Sequence, residues 1–131
     1  MRDFFGGLVF GGSCYLCRAR SRGVLCAACR AELPELRGEL CPRCALPAPG
    51  AAVCGRCLTQ PPDYDATVAV LAYEFPADVL VQSLKFRGEL ALAPFLAGLL
   101  AQKVSASDAD LLVPVPLSAA RLRRRGYNQA A

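Results

Sequence analysis

Eight cysteines, all between Cys14 and Cys57, constrain this chain more than any other feature. They stand as four Cys-x-x-Cys pairs, Cys14/Cys17, Cys26/Cys29, Cys41/Cys44 and Cys54/Cys57, with intervals of eight, eleven and nine residues. The first two pairs and the last two form near-identical units, an internal repeat. A Cys-x-x-Cys turn presents two thiolates to a metal ion from one side, and a second turn closes the tetrahedron from the other. Four sulfurs leave no open coordination position, so such a site is structural. The chain has no histidine, so the ion must be held by sulfur alone. Soft sulfur ligands favour zinc or an iron–sulfur centre over magnesium or calcium. Zinc is the expectation, because nothing else indicates redox chemistry. A disulfide scaffold would need an oxidising compartment. Residues 1–10 do not read as a signal peptide, since their short apolar stretch is broken by glycines and carries Asp3. They read as a packing segment of a cytoplasmic protein. A single thioredoxin-like redox pair does not account for four regularly spaced ones.

Pairs can be joined two at a time in three ways, and consecutive joining closes the shortest loops at least cost in chain entropy. It assigns Cys14, Cys17, Cys26 and Cys29 to one site and Cys41, Cys44, Cys54 and Cys57 to the other, with a cross-braced arrangement left open. Residues 31–38 between the two are expected to form a short helix or turn. With 54% apolar and 20% charged residues among 131, the chain is neither intrinsically disordered nor fibrous. No apolar run approaches the roughly 18 residues of a membrane-crossing helix. The formal charge of +4 is weak evidence for nucleic-acid binding by the ribbons. Residues 1–60 hold eight arginines and four acids, whereas eight thiolates with two zinc ions contribute about −4. Arg18, Arg30, Arg43 and Arg56, beside ligands, are expected to compensate this charge, with phosphate contact as the alternative.

Residues 60–65, Gln-Pro-Pro-Asp-Tyr-Asp, cannot continue a regular element. The boundary is placed there, with a double zinc ribbon over residues 1–60 and a cysteine-free α/β part over 61–131. Residues 66–73 are a nearly continuous apolar run, as expected of a strand covered on both faces. A helix is expected over 77–86, with Leu80 and Leu84 on one side and Gly88 to stop it. In the next helix Leu92, Phe95, Leu96, Leu99 and Leu100 follow the i, i+3, i+4, i+7, i+8 template, with Pro94 near its start. A polar loop at 105–110 leads to a short expected strand at 111–116, whose Pro114 and Pro116 mark its carboxyl end. In open α/β sheets that end is where ligands bind. Just beyond it, Arg121, Arg123, Arg124 and Arg125 suit a phosphate, a pyrophosphate or a nucleic-acid backbone, or form a solvated basic face.

The four Cys-x-x-Cys pairs are followed in order by Pro61-Pro62-Asp63-Tyr64-Asp65, Leu84-Lys85-Phe86-Arg87-Gly88, Val113-Pro114-Val115-Pro116-Leu117, Arg121, and Arg125-Gly126-Tyr127-Asn128-Gln129. This succession resembles the ComF family, whose members also carry the labels ComFC, GntX and competence protein F. The resemblance implies a double zinc ribbon followed by a type I phosphoribosyltransferase-like domain. It also implies a role in natural transformation, the uptake of single-stranded DNA, with that DNA and competence-machinery proteins as partners. Val-Pro-Val-Pro resembles the pyrophosphate-side loop of phosphoribosyltransferases, Lys85 matches the family's Leu-Lys-Tyr/Phe motif, and the run from Arg125 resembles its following loop and helix start. By the same resemblance, members continue with an acidic pair and a Thr-Thr-Gly turn that bind phosphoribosyl pyrophosphate. This sequence has no adjacent acids, and its only threonines are Thr59 and Thr67. It is therefore expected to be an N-terminal fragment whose α/β domain is incomplete and poorly stable alone, with no catalytic residues. Magnesium and phosphoribosyl pyrophosphate are expected of a full-length protein only. Lys85, Arg121, Arg124 and Arg125 are the candidate phosphate or nucleic-acid contacts. Three functions compete: DNA handling in transformation, phosphoribosyl transfer, and a zinc-ribbon protein-interaction module.

Overall fold

The cysteine repeat is also a backbone repeat. In a computed structural model, residues 12–104 and 110–131 are described; the expected packing segment at 1–10 and most of the polar loop at 105–110 lie outside them. At the first pair, the Arg18 N–H donates to the Cys14 carbonyl at 3.0 Å and the Cys14 N–H to the Ala19 carbonyl at 2.7 Å. At the third, the Ala45 N–H donates to the Cys41 carbonyl at 2.9 Å and the Cys41 N–H to the Leu46 carbonyl at 2.8 Å. Ser13 bridges to Arg20 and Leu40 to Pro47, both antiparallel. Each turn closes on one residue in the left-handed region, Arg18 at φ 64° and Ala45 at φ 59°. The second and fourth pairs each open a short helix, α1 (Ala27–Ala31) after Cys26 and α2 (Gly55–Thr59) after Cys54. Both ribbons are thus a tight turn facing a helix start. Residues 31–38 leave α1 through a turn and run on as an irregular connector to the second ribbon.

Two helices follow where the apolar spacing places them. Helix α3 (Ala77–Phe86) buries Ala77, Leu80, Ser83 and Leu84, and Gly88, at φ 72°, lets the chain turn away after it. Helix α4 (Leu92–Ala101) buries Leu92 and Leu99 and half-buries Phe95 and Leu96, while Leu100 stays exposed. The last, α5 (Ala119–Arg125), starts at Ser118, whose Oγ accepts from the Arg121 N–H at 3.4 Å. It ends at Gly126, whose φ of 83° is a left-handed cap that glycine adopts without steric cost.

The main core lies between the first ribbon and the helices. Cys14, Leu25 and Leu33 from the ribbon side form one cluster with Leu80, Leu84, Leu92 and Leu99. Arg30 of α1 stacks over the Phe95 ring of α4, its Cζ 5.7 Å from the centroid, and Lys103 Nζ donates to the Leu36 carbonyl at 3.2 Å. The second ribbon has its own small cluster, in which Cys41, Ala48 and Cys57 are buried.

The two expected strands are corrected by the structure: the described residues contain no strand, only isolated bridges. Among the described residues, 66–73 pair only briefly, with the inter-ribbon connector. Leu71 bridges Glu35, the Leu36 N–H donates to the Val70 carbonyl at 2.9 Å, and the Ala72 N–H to the Pro34 carbonyl at 2.8 Å. Residues 111–116 bridge to none of the described residues, and Leu111, Leu112, Val113 and Val115 are 71–84% exposed. A strand exists only with a partner ladder, and Pro114 and Pro116 bring no donors to one. The α/β sheet expected over 61–131 is therefore not formed among the described residues.

Candidate metal centres and an adjoining basic cleft

The eight thiols gather consecutively, Cys14, Cys17, Cys26 and Cys29 in one group and Cys41, Cys44, Cys54 and Cys57 in the other. Within each, the sulfurs all lie within 4.8 Å of one another. The contacts that close the groups, Cys17 Sγ to Cys26 Sγ and Cys44 Sγ to Cys54 Sγ, are 3.6 and 3.7 Å. Zinc–sulfur bonds of about 2.3 Å at tetrahedral angles put sulfurs about 3.8 Å apart, whereas a disulfide needs about 2.05 Å. The quartets fit two structural zinc sites.

Backbone donors prepare them. Burial raises the Cys14 thiol, but the N–H groups of Cys17, Cys26 and Leu16 outweigh it and bring Cys14 down to about 6. The N–H groups of Cys54 and Cys44 lower Cys41 to about 6, against its burial, and the Cys54 N–H lies 3.3 Å from the Cys41 sulfur. The opposite members resist ionisation. Cys29 is pushed up to about 12, by the Cys17 thiol foremost and then by burial, and Cys57 to about 12, by burial foremost and then by Cys44. Each quartet thus offers one ready thiolate and one that gives up its proton only when a cation relieves the crowding of negative charge. The Cys26 sulfur also caps α1, accepting from the Cys29 N–H at 3.5 Å. Bound zinc supplies cross-linking and folding free energy and no reactive position.

The four predicted cationic residues converge. Lys85, in the last turn of α3, and Arg121, Arg124 and Arg125 of α5 line a common cleft of about 340 Å³ together with Phe86. A smaller recess of about 230 Å³ beside it adds Gly88 and Tyr127 to Lys85, Phe86, Arg124 and Arg125. Positions 121, 124 and 125 share one helix face by their i, i+3, i+4 spacing. Gly126 turns the chain so that Tyr127 reaches back and its hydroxyl donates to the Leu84 carbonyl of α3. Arg125 donates to Gln129 Oε1 and stacks on Phe86, its Cζ 5.4 Å from the ring centroid. Asn128 Nδ2 donates to the Val115 carbonyl at 3.0 Å, tying the Val-Pro-Val-Pro segment to the same region. Phe86, next to Lys85, and Tyr127, two residues after Arg125, join the cleft without having been among the predicted contacts. Arg18, expected to offset charge at the first quartet, lies over the Tyr15 ring at 5.7 Å.

Two sulfur quartets on repeated turns, each closed by a helix start, give the chain a double zinc ribbon, and residues 6–58 match the family described as "Double zinc ribbon domain". Over nearly its whole length, ribbons included, the chain is 40% identical over 134 residues to the DNA utilization protein YhgH of Salmonella typhimurium, a match covering 94% of this chain and 59% of that protein. It is 31% identical over 132 residues to competence protein F of Haemophilus influenzae, covering 92% of this chain and 57% of that one. It is 30% identical over 115 residues to competence protein ComFC of Bacillus subtilis, covering 81% and 48%. The chain is a homologue of these competence and DNA-utilization proteins, in line with the ComF-family resemblance of its motifs. It spans about three-fifths of the length of the YhgH relatives. No solved structure matches it. No helix among the described residues is long and apolar enough to cross a membrane.

Proposed function

We propose that this protein handles single-stranded DNA in a competence-related process, holding the phosphate backbone in the cleft of Lys85, Arg121, Arg124 and Arg125. The convergence of four cations from two separate helices into one cleft carries this reading. Guanidinium groups bind phosphate oxygens through paired N–H donors, and three of them on one helix face follow a phosphodiester chain better than a single anion. The names of the relatives, DNA utilization protein and competence protein, point the same way. In this reading residues 1–60 form the metal-held module and 61–131 the phosphate-handling part. The ribbon cysteines act as structural ligands and the protein works in the cytoplasm, where thiols stay reduced.

The test is fluorescence anisotropy with a labelled single-stranded oligonucleotide across a salt series. Replacing Arg121, Arg124 and Arg125 together by alanine should weaken binding and make log affinity shallower against log salt by about 2, at about 0.7 per phosphate contact. Zinc content serves as the folding control. An unchanged slope, or no binding by the parent protein at low salt, refutes the proposal.

A further inference from the structure

Phe86 is out of place for a packing residue. The buried side of α3 is marked by Ala77, Leu80, Ser83 and Leu84, and at about 100° per residue Phe86 points roughly 130° away from the middle of that face. Phe86 is 68% exposed. It nevertheless stands among cations, between Lys85 and the α5 arginines, with the Arg125 guanidinium over the ring. Arg125 is itself steadied by Gln129, and Tyr127 ties the end of α5 to α3 through the Leu84 carbonyl. A solvated basic face has no use for a phenyl ring held in this way. A single strand offers phosphates to cations and, unlike a duplex, unpaired base faces to an aromatic ring.

We infer that Phe86 is a base-stacking platform inside the basic cleft, which makes the cleft selective for single-stranded over double-stranded DNA. This rests on the reading of the cleft as a phosphate-backbone site. Cations alone bind any polyanion, so the platform is what distinguishes DNA with accessible bases from a bare sugar-phosphate chain. Stacking of one base on one ring is worth about five- to 160-fold in affinity.

The experiment compares three probes of equal length on the full chain: oligothymidylate, an abasic oligodeoxyribose phosphate, and a duplex. Oligothymidylate should bind at least about fivefold more tightly than the abasic strand or the duplex. Phe86→Ala should remove that advantage while leaving the salt slope and the zinc content unchanged. Phe86→Trp should preserve it, and because the chain contains no other tryptophan, quenching of its emission on binding reports the stacked base directly. Equal affinity for all three probes, with Phe86→Ala without effect, overturns the platform and leaves the phosphate cleft standing. Failure of every probe to bind overturns both.

Discussion

Changing Cys17 to serine in one protein and Cys44 to serine in another asks how far each ribbon supports the rest of the chain. Cys17 is exposed and Cys44 half-buried, and neither is among the buried members of a core cluster. Each substitution therefore weakens one quartet with little direct loss of packing. The consequences should differ, because Leu25 of the first ribbon and Leu33 just after its helix join the cluster that covers α3 and α4, whereas among the described residues the second ribbon packs only on itself. Burying two leucines is worth about 3–6 kcal/mol. That is comparable with the whole stability of a small domain, about 5–15 kcal/mol. Without the first ribbon, Leu80, Leu84, Leu92 and Leu99 lose their cover. Helices α3 and α4, at ten residues each, hold more than half of the α-helical residues described. In the presence of a chelator strong enough to strip a three-cysteine site, both variants should retain one zinc by elemental analysis. Cys17→Ser should lose more than half of its helical ellipticity at 222 nm, and Cys44→Ser only the small part contributed by α2. Equal ellipticity in the two variants, each with one zinc gone, would refute the shared-core argument.

Two other outcomes follow from single groups. Ser83 is fully buried on α3 and its hydroxyl has no hydrogen-bond partner among the described residues, so Ser83→Ala should stabilise the protein by roughly 1 kcal/mol in chemical denaturation, since an unsatisfied buried polar atom is removed. Zinc binding should weaken in acid. Cys29 and Cys57, both pushed up to about 12, keep their protons near neutral pH until the metal displaces them, so each site releases at least one proton per zinc. Apparent affinity should then rise at least about tenfold per pH unit, and a competition titration with a chromophoric chelator at several pH values measures the slope.

The metal sites were legible because chelation imposes a spacing that survives in the linear sequence: two sulfurs separated by two residues, four times over, leave little choice of geometry. Consecutive joining followed from loop length, and the sulfurs are grouped that way. Helices α3 and α4 were legible for a different reason, since each buries a face whose period repeats within ten residues. Strands were not. Residues 66–73 and 111–116 have the composition of buried strands, but a strand is a property of two segments. The partner of Leu71 turned out to be Glu35, in a connector whose sequence shows no strand pattern. The arginines of the cleft were legible from their clustering, and Lys85 from the family motif it matches. Phe86 was missed because an isolated aromatic residue in a helical segment looks like core until the buried face of that helix is known.

The two ribbons share a backbone plan, yet only one has become a foundation for other parts of the molecule. That inequality makes them unequal as evolutionary material. The second unit can drift in sequence, be exchanged for another four-cysteine finger, or be engineered to carry a tag, so long as it closes on its own ion. In the first, even a conservative change at Leu25 or Leu33 reaches helices distant in sequence, so lineages of this protein should show their tolerance for variation concentrated on the second of the two units.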